Sequence, residues 1–197
     1  MISEVSRLVP IHRAKIQPDS CALLVIDMQR CFLDGKTVPS ALAIIPHVNR
    51  LIQAFRRRNR PIIFTRHLNS GADTGRMQEW WGSLISPNDP RSLLDDRIDA
   101  ATAVITKAQY DAFYGTNLEE MLKRGDITQV VICGVVTHLC CETTARSAFC
   151  RGFSVIMPPD ATASYNRSLH QASFLTLCHG FVSPLPVDDC IAALEQP

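Results

Sequence analysis

The sequence has almost no net charge. Twenty Lys and Arg stand against nineteen Asp and Glu, a formal balance of +1, which leaves no field to hold nucleic acid or an anionic membrane. It also lacks a long apolar run. Cys21-Ala-Leu-Leu-Val-Ile26 and Val130-Val-Ile-Cys133 fall far short of the ~20 residues that span a bilayer. Met1 to Lys15 mixes charges with apolar residues and has no continuous apolar stretch of the signal-peptide kind. A cytoplasmic protein with neither nucleic-acid nor membrane partner is expected. There is no C-x-x-C pair and no Cys/His cluster at zinc-finger spacing, so a structural zinc site is not expected. Internal repeats and low-complexity tracts are absent too.

What is present is ordinary globular material: 197 residues, 46% hydrophobic and 20% charged, enough for one domain with one core. Residues 1–19 read as an arm lying on a domain of residues 20–197. The eight cysteines, Cys21, Cys31, Cys133, Cys140, Cys141, Cys150, Cys178 and Cys190, sit mostly in apolar segments of a chain that needs no disulfide staples. They read as buried thiols with one exception, taken up below.

Along the chain, strand and helix patterns alternate. Cys21–Asp27 is a near-continuous apolar run ending in an acid, the mark of a buried parallel strand. Ala41 to Asn59 spaces Ile44, Val48, Leu51, Ile52 and Phe55 at helical intervals, and the Arg56-Arg57-Arg58 run at its end meets the helix macrodipole rather than a phosphate. Pro61–Arg66 is a second strand. From Leu68 to Asp99 the pattern breaks into a long excursion with a short helix, the kind of segment that covers sites. Strands are expected at Ala103–Lys107, Gln129–Gly134, Ser154–Met157 and, at an edge, Phe181–Ser183. Helices are expected at Asn117–Arg124, Cys140–Arg151 and Ser168–His179. The fold class is therefore α/β, a three-layer α/β/α sandwich with a mostly parallel, roughly six-stranded sheet.

Ligands of such sheets bind beyond the C-terminal strand ends. That rule picks out Asp27, Arg66, His67, Lys107 and the turn Gly134 to Cys141. Cys140, following a strand-to-helix turn, is expected in the first turn of the next helix, where the macrodipole and the Lys107 cation lower a thiol pKa. Asp27 can act as base on the thiol and then as acid to a leaving group. Backbone N–H groups of the turn can receive an oxyanion.

Asp27-Met-Gln-Arg-Cys-Phe32, Thr106-Lys107 followed by Tyr110-Asp-Ala-Phe113, and Gly134-Val-Val-Thr-His-Leu-Cys140 resemble the three motifs of the isochorismatase-like cysteine hydrolases. That superfamily includes nicotinamidases, N-carbamoylsarcosine amidases and isochorismatases. The resemblance implies an Asp27–Lys107–Cys140 triad that attacks a carbonyl, forms a thioester with loss of ammonia or an amine, and is released by water. It also implies a cis peptide at Val135–Val136, with the N–H groups of Val136 and Cys140 aimed at the oxyanion. Isochorismatases typically carry a small residue where Cys140 stands, and their vinyl-ether hydrolysis needs an acid and no nucleophile. The thiol therefore favours a small amide, ureido or carbamoyl substrate. Vinyl-ether hydrolysis with Asp27 as general acid stands second, and a non-catalytic binding module on the same fold third.

The nicotinamidases of the family hold a metal through an Asp-x-His and nearby histidines. Here Leu33 to Ile45 contains no histidine and His47 lies in a predicted helix without the matching acid, so neither metal nor cofactor is expected. Gln29, Phe32, His67, Trp81, Tyr110, Phe113 and Thr137 are the candidate substrate contacts. Phe32, Tyr110 and Phe113 form an apolar wall or simply pack in the core. One of Trp80 and Trp81 roofs the pocket and the other meets a second subunit. His138 braces the turn, and Cys141, a third of a turn from Cys140, packs. Family members assemble as dimers or tetramers, so a homo-oligomer is expected, with the 77–85 segment between subunits.

Overall fold

The computed structural model describes residues 2–70, 74–100 and 103–196. Among the described residues six parallel strands form one sheet: β1 (Cys21–Ile26), β2 (Ile62–His67), β3 (Val104–Lys107), β4 (Gln129–Val135), β5 (Ser154–Ile156) and β6 (Thr162–Ala163). The order is β3-β2-β1-β4-β5, with β6 also on β4. The helices are α1 (Ile2–Leu8), α2 (Ala41–Arg57), α3 (Met77–Trp81), α4 (Leu118–Arg124), α5 (Glu142–Cys150), α6 (Arg167–Gly180) and α7 (Val187–Glu195).

The two-residue period of a strand divides the core. On β1 every residue is buried. Cys21, Leu23 and Val25 face a layer built from α2 and α7, around Val48, Leu51, Phe55 and Cys190. Ala22, Leu24 and Ile26 face the opposite layer of α1, α4, α5 and α6, around Leu118, Ala145, Phe174 and Leu177. A strand covered on both sides must be apolar throughout, which is why this segment shows no alternation.

Several boundaries differ from the expected ones. Phe181–Ser183 is no strand; it contributes only a bridge between Ser183 and Ile156. The β4 edge is completed instead by β6, which pairs Thr162 and Ala163 with Gly134 and Val135. The chain leaves the sheet after β5 because Pro158-Pro159 offer no N–H donors, and it returns one turn later. The C-terminal helix α7 was not foreseen; Val187, Cys190 and Leu194 are its buried face. The N-terminal arm contains α1, anchored by buried Val5 and by Glu4, which meets Arg167 at 3.3 Å and Gln171 at 3.0 Å. The expected excursion carries α3 and a 3-10 turn at Pro90–Ser92, while its residues 71–73 lie outside the described residues. The arginine run is ion-paired: Arg56 with Asp99 and Arg57 with Glu195, each at 2.5 Å.

Gly134 sits where β4 presses against β1. Its φ is +112°, and a Cβ there would lie 2.1 Å from the Ile26 carbonyl oxygen and 2.8 Å from its nitrogen. Backbone cannot yield as a flexible side chain does, so Gly134→Ala is expected to destabilise by about 3 kcal/mol or more. Gly115, at φ +67° with nothing near, is the control; Gly115→Ala should cost only about 1–2 kcal/mol. Urea unfolding of both variants checks this, and equal midpoints would contradict it.

Candidate active site

The strand ends bring four side chains together. Asp27 follows β1 with φ +48°, a left-handed turn that Asp tolerates better than most residues and that swings its carboxylate off the sheet line. His67 and Lys107 are register partners at the ends of β2 and β3. After β4 a π-helical turn, Thr137–Cys141, leads into α5 and carries Cys140. The helical path thus starts three residues before the expected Cys140.

Lys107 Nζ lies 2.7 Å from Asp27 Oδ2, and both side chains are fully buried. The same nitrogen donates to Cys140 Sγ at 3.3 Å and to the Gln109 carbonyl at 3.0 Å, and it meets His67 Nδ1 at 3.3 Å. Thr65 Oγ1 donates to Asp27 Oδ1 at 2.6 Å while accepting from the Asp27 N–H at 3.1 Å. The Val135–Val136 peptide is cis, where the resemblance placed it.

Burial and charge set the protonation states. Burial pushes Asp27 up, but the charge and hydrogen bond of Lys107 together with the Thr65 hydroxyl outweigh it and hold the carboxyl below its ordinary 3.8. Burial opposes the Lys107 charge, and Asp27 and Cys140 together overcome it, so the ammonium is held above 10.5. The Cys140 thiol corrects the expectation of a lowered pKa: burial, with Asp27 offsetting Lys107, pushes it up to about 12. The turn's early start also moves the sulfur away from the first helical N–H groups, where the dipole acts most strongly. At neutral pH the site holds a carboxylate, an ammonium and a neutral thiol.

Oxygen of Asp27, ring nitrogen of His67 and sulfur of Cys140 lie within 4.8 Å of one another, a donor set that resembles a metal site. Lys107 Nζ already stands at 2.7–3.3 Å from all three and supplies the positive charge, so these residues do not fit a metal ion. His47, expected to lack an acid, faces Asp160 at 3.8 Å.

A cavity of about 330 Å³ opens onto Cys140 and is lined by Phe32, His67, Trp81 and Tyr110 among others. Trp81 Nε1 donates to the Tyr110 hydroxyl at 2.7 Å, whereas Trp80 is 78% exposed. The structure places three expected contacts elsewhere. Gln29 is a buried brace: its amide donates to the His67 and Ser92 carbonyls and accepts from the His67 N–H at 2.7 Å. Phe113 stacks on Phe153 under the Arg151 guanidinium. Thr137 is fully buried and meets His170 Nδ1 at 2.9 Å. Arg66 turns to the Ser92 carbonyl. His138 does brace the turn, at 2.6 Å from Ser164 Oγ, and Cys141 packs in the core. Cys31, Asn69, Leu139, Tyr165 and Arg91 also line the cavity. Cys31 and Leu139 could have been taken from their motif neighbours; Arg91 lies in the excursion, where no pattern marks it.

The isochorismatase domain family matches residues 21–189. The chain belongs to the isochorismatase family. Nicotinamidase 3 of Arabidopsis thaliana is 39% identical over 175 residues, 85% of this chain and 86% of that protein. Enterobactin synthase component B of Escherichia coli K12 is 32% identical over 163 residues, 80% of this chain but 57% of that longer protein. Among solved structures, a cysteine hydrolase from Pseudomonas syringae pv. phaseolicola superposes with a TM-score of 0.90 at 27% identity, covering 94% of this chain and 97% of its own. This isochorismatase-family protein is a hydrolase, and its sheet is that of its relatives.

Burial lowers the His67 pKa to about 4 from 6.5, so the folded state keeps the ring neutral. Its stabilising contribution is present above pH 6.5 and is lost as pH falls toward 4, with a slope of at most about 1.4 kcal/mol per pH unit. His138 and His170 shift in the same direction. Urea unfolding across this window is expected to show stability falling with acid, and His67→Asn to remove one proton from the slope. An unaltered slope in the variant would contradict the assignment.

Proposed function

We propose that this hydrolase cleaves the C–N bond of a small amide, ureido or carbamoyl compound through a thioester on Cys140, with Asp27 and Lys107 completing the triad. One observation carries the reading. Asp27 is buried and ion-paired with Lys107 at 2.7 Å, and the same ammonium meets Cys140 Sγ at 3.3 Å, so an ionised carboxylate stands within hydrogen-bond reach of a neutral thiol that must lose a proton to attack. As sulfur bonds to the carbonyl carbon, the S–H proton passes to Asp27. The N–H groups of Val136 and Cys140 receive the oxyanion. Collapse breaks the C–N bond, and Asp27 returns the proton to the leaving nitrogen. Water then attacks the thioester, its proton passing through Asp27 to sulfur, which regenerates the thiol. Lys107 remains charged throughout and stabilises whichever of carboxylate and thiolate is anionic.

Phe32, Trp81 and Tyr110 fit as walls for a small flat or compact substrate. The names of two relatives, a nicotinamidase and a cysteine hydrolase, agree with amide chemistry and a thiol nucleophile. Residues 20–197 form the catalytic domain in this reading and residues 1–19 an arm. Eight free cysteines suit a reducing cytoplasm. Exposed Trp80 suits burial between copies in a dimer or tetramer, which a monomeric elution profile would refute. Among the described residues no helix is long and apolar enough to cross a membrane.

Cys140→Ala and Asp27→Asn are each expected to lower kcat by on the order of 10²–10⁴-fold, and intact-mass spectrometry with a panel of small amides to find an acyl adduct on Cys140. Full turnover in Cys140→Ala would transfer the chemistry to Asp27 acting as an acid. Because Asp27 is held below 3.8 and His67 near 4, kcat/KM should show no inflection near pH 6.5, the ordinary histidine value; a pH–rate profile with one there would place the base elsewhere.

A further inference from the structure

The turn that carries Cys140 is flanked on both sides. β1 and β6 each pair with β4, Ile26 with Gly134 and Ala163 with Val135, so Asp27 leaves the sheet on one side of the turn and Tyr165 on the other. Tyr165 lines the cavity that opens onto Cys140. Its ring is fixed edge-on to that of His138, with centroids 5.4 Å apart and planes at 70°. The backbone before it is held as well: His138 Nδ1 is 2.6 Å from Ser164 Oγ, and Ser40 Oγ donates to the Ser164 carbonyl at 2.9 Å. The Tyr165 hydroxyl, by contrast, makes no hydrogen bond to the described residues. Burial, and after it the nearness of Cys140 and Tyr110, raises its pKa above the ordinary 10, so the phenol stays protonated and neutral. Other polar side chains of the wall are already engaged. His67 is taken by Lys107 and Asn69, the Tyr110 oxygen accepts the Trp81 indole N–H at 2.7 Å, and Asp89 is paired with Arg91 at 2.7 Å.

We propose that Tyr165 is a further substrate contact: its hydroxyl oxygen accepts an N–H of the nitrogen that leaves, on the side of the Cys140 turn opposite Asp27. This rests on the reading of the cavity as an amide site with Cys140 as nucleophile. An unsubstituted amide nitrogen carries two N–H groups, and each needs an acceptor once the substrate is shut away from water. With the carbonyl oxygen on the N–H groups of Val136 and Cys140, the nitrogen stands over the turn, one N–H toward the Asp27 carboxylate and the other toward the phenol. A phenol oxygen accepts without giving up its own proton. Tyr165 therefore binds and orients the nitrogen, while the proton that nitrogen needs on departure still comes from Asp27.

The test reads binding, so it needs no knowledge of the natural substrate. Methyl methanethiosulfonate, a small reagent without N–H, transfers its methylthio group to the Cys140 sulfur with loss of the thiol proton and methanesulfinate. Peptide mass spectrometry on Cys140 follows the rate in the full-length wild type and in Tyr165→Phe, which keeps the ring, its contact with His138 and the cavity wall. Acetamide, benzamide, methyl acetate and methyl benzoate compete, the esters presenting the same acyl groups with no N–H. Expected is a rise of about fivefold or more in the half-protecting concentration of the amides in Tyr165→Phe, the lower end of what an unpaired donor costs. The values for the esters and the uncompeted rate stay within about twofold. Unchanged protection by the amides in Tyr165→Phe overturns the proposal. A comparable change for the esters or in the uncompeted rate overturns it too, since it would assign the effect to the shape of the wall. Failure of both amides to protect the wild type would instead overturn the amide reading of the cavity, and the role of Tyr165 with it.

Discussion

Everything at the carboxyl edge of this sheet is arranged around the contact of Asp27 with Lys107, two opposite charges with no solvent exposure. Such a pair is poor evidence of stability. Removing two ions from water costs several kcal/mol each, and an apolar pair of similar volume often serves a fold as well or better. Breaking it is another matter, since either partner alone would be a buried, uncompensated charge. The pair therefore belongs to the chemistry: it keeps a carboxylate ionised and an ammonium charged in a place where burial alone would neutralise both.

The topology explains how they meet. With β2 lying between β1 and β3, strands spaced about 4.8 Å apart leave roughly 10 Å between the outer two. A lysine on its flexible four-carbon stem can cross much of that distance, and the left-handed turn at Asp27 brings the acid toward it. The bridging strand serves both. Thr65 and His67 are two residues apart and so share a face; Thr65 holds the Asp27 carboxylate while His67 meets the Lys107 ammonium. The sulfur arrives from the other neighbour of β1, on the turn after β4.

The sequence made much of this readable, for a physical reason. Asp27, Lys107 and Cys140 each end a strand or follow one, and a parallel sheet gathers its strand ends at one rim whatever the loops do. Gln29 shows the limit, because an amide beside a motif looks the same in sequence whether it points to a ligand or, as here, meets two carbonyls and an N–H of the chain. Trp80 and Trp81 are helical neighbours of identical type, and only the rotation of α3 separates the exposed ring from the one on the cavity. Two-residue β6 is too short to carry a period, and α7 begins beyond a proline-broken stretch where no strand pattern announces it. The state of the thiol was also out of reach. A cation nearby in the sequence logic says nothing of how completely both are buried, and burial decides it.

A neutral resting thiol is a consequence with its own logic. The thiolate is the form that oxidants and stray electrophiles attack, and a cysteine held as thiolate on an accessible cavity would be exposed to them continually. Here the anion forms only as the proton crosses to Asp27, and it forms next to an ammonium already in place. The same ammonium explains why no second cation belongs among Asp27, His67 and Cys140. A metal there would bind the sulfur as thiolate and occupy the carboxylate, removing together the nucleophile and the base. A lysine supplies positive charge without binding the sulfur as thiolate, and the carboxylate it keeps ionised is what lets a buried, protonated sulfur become an attacking group.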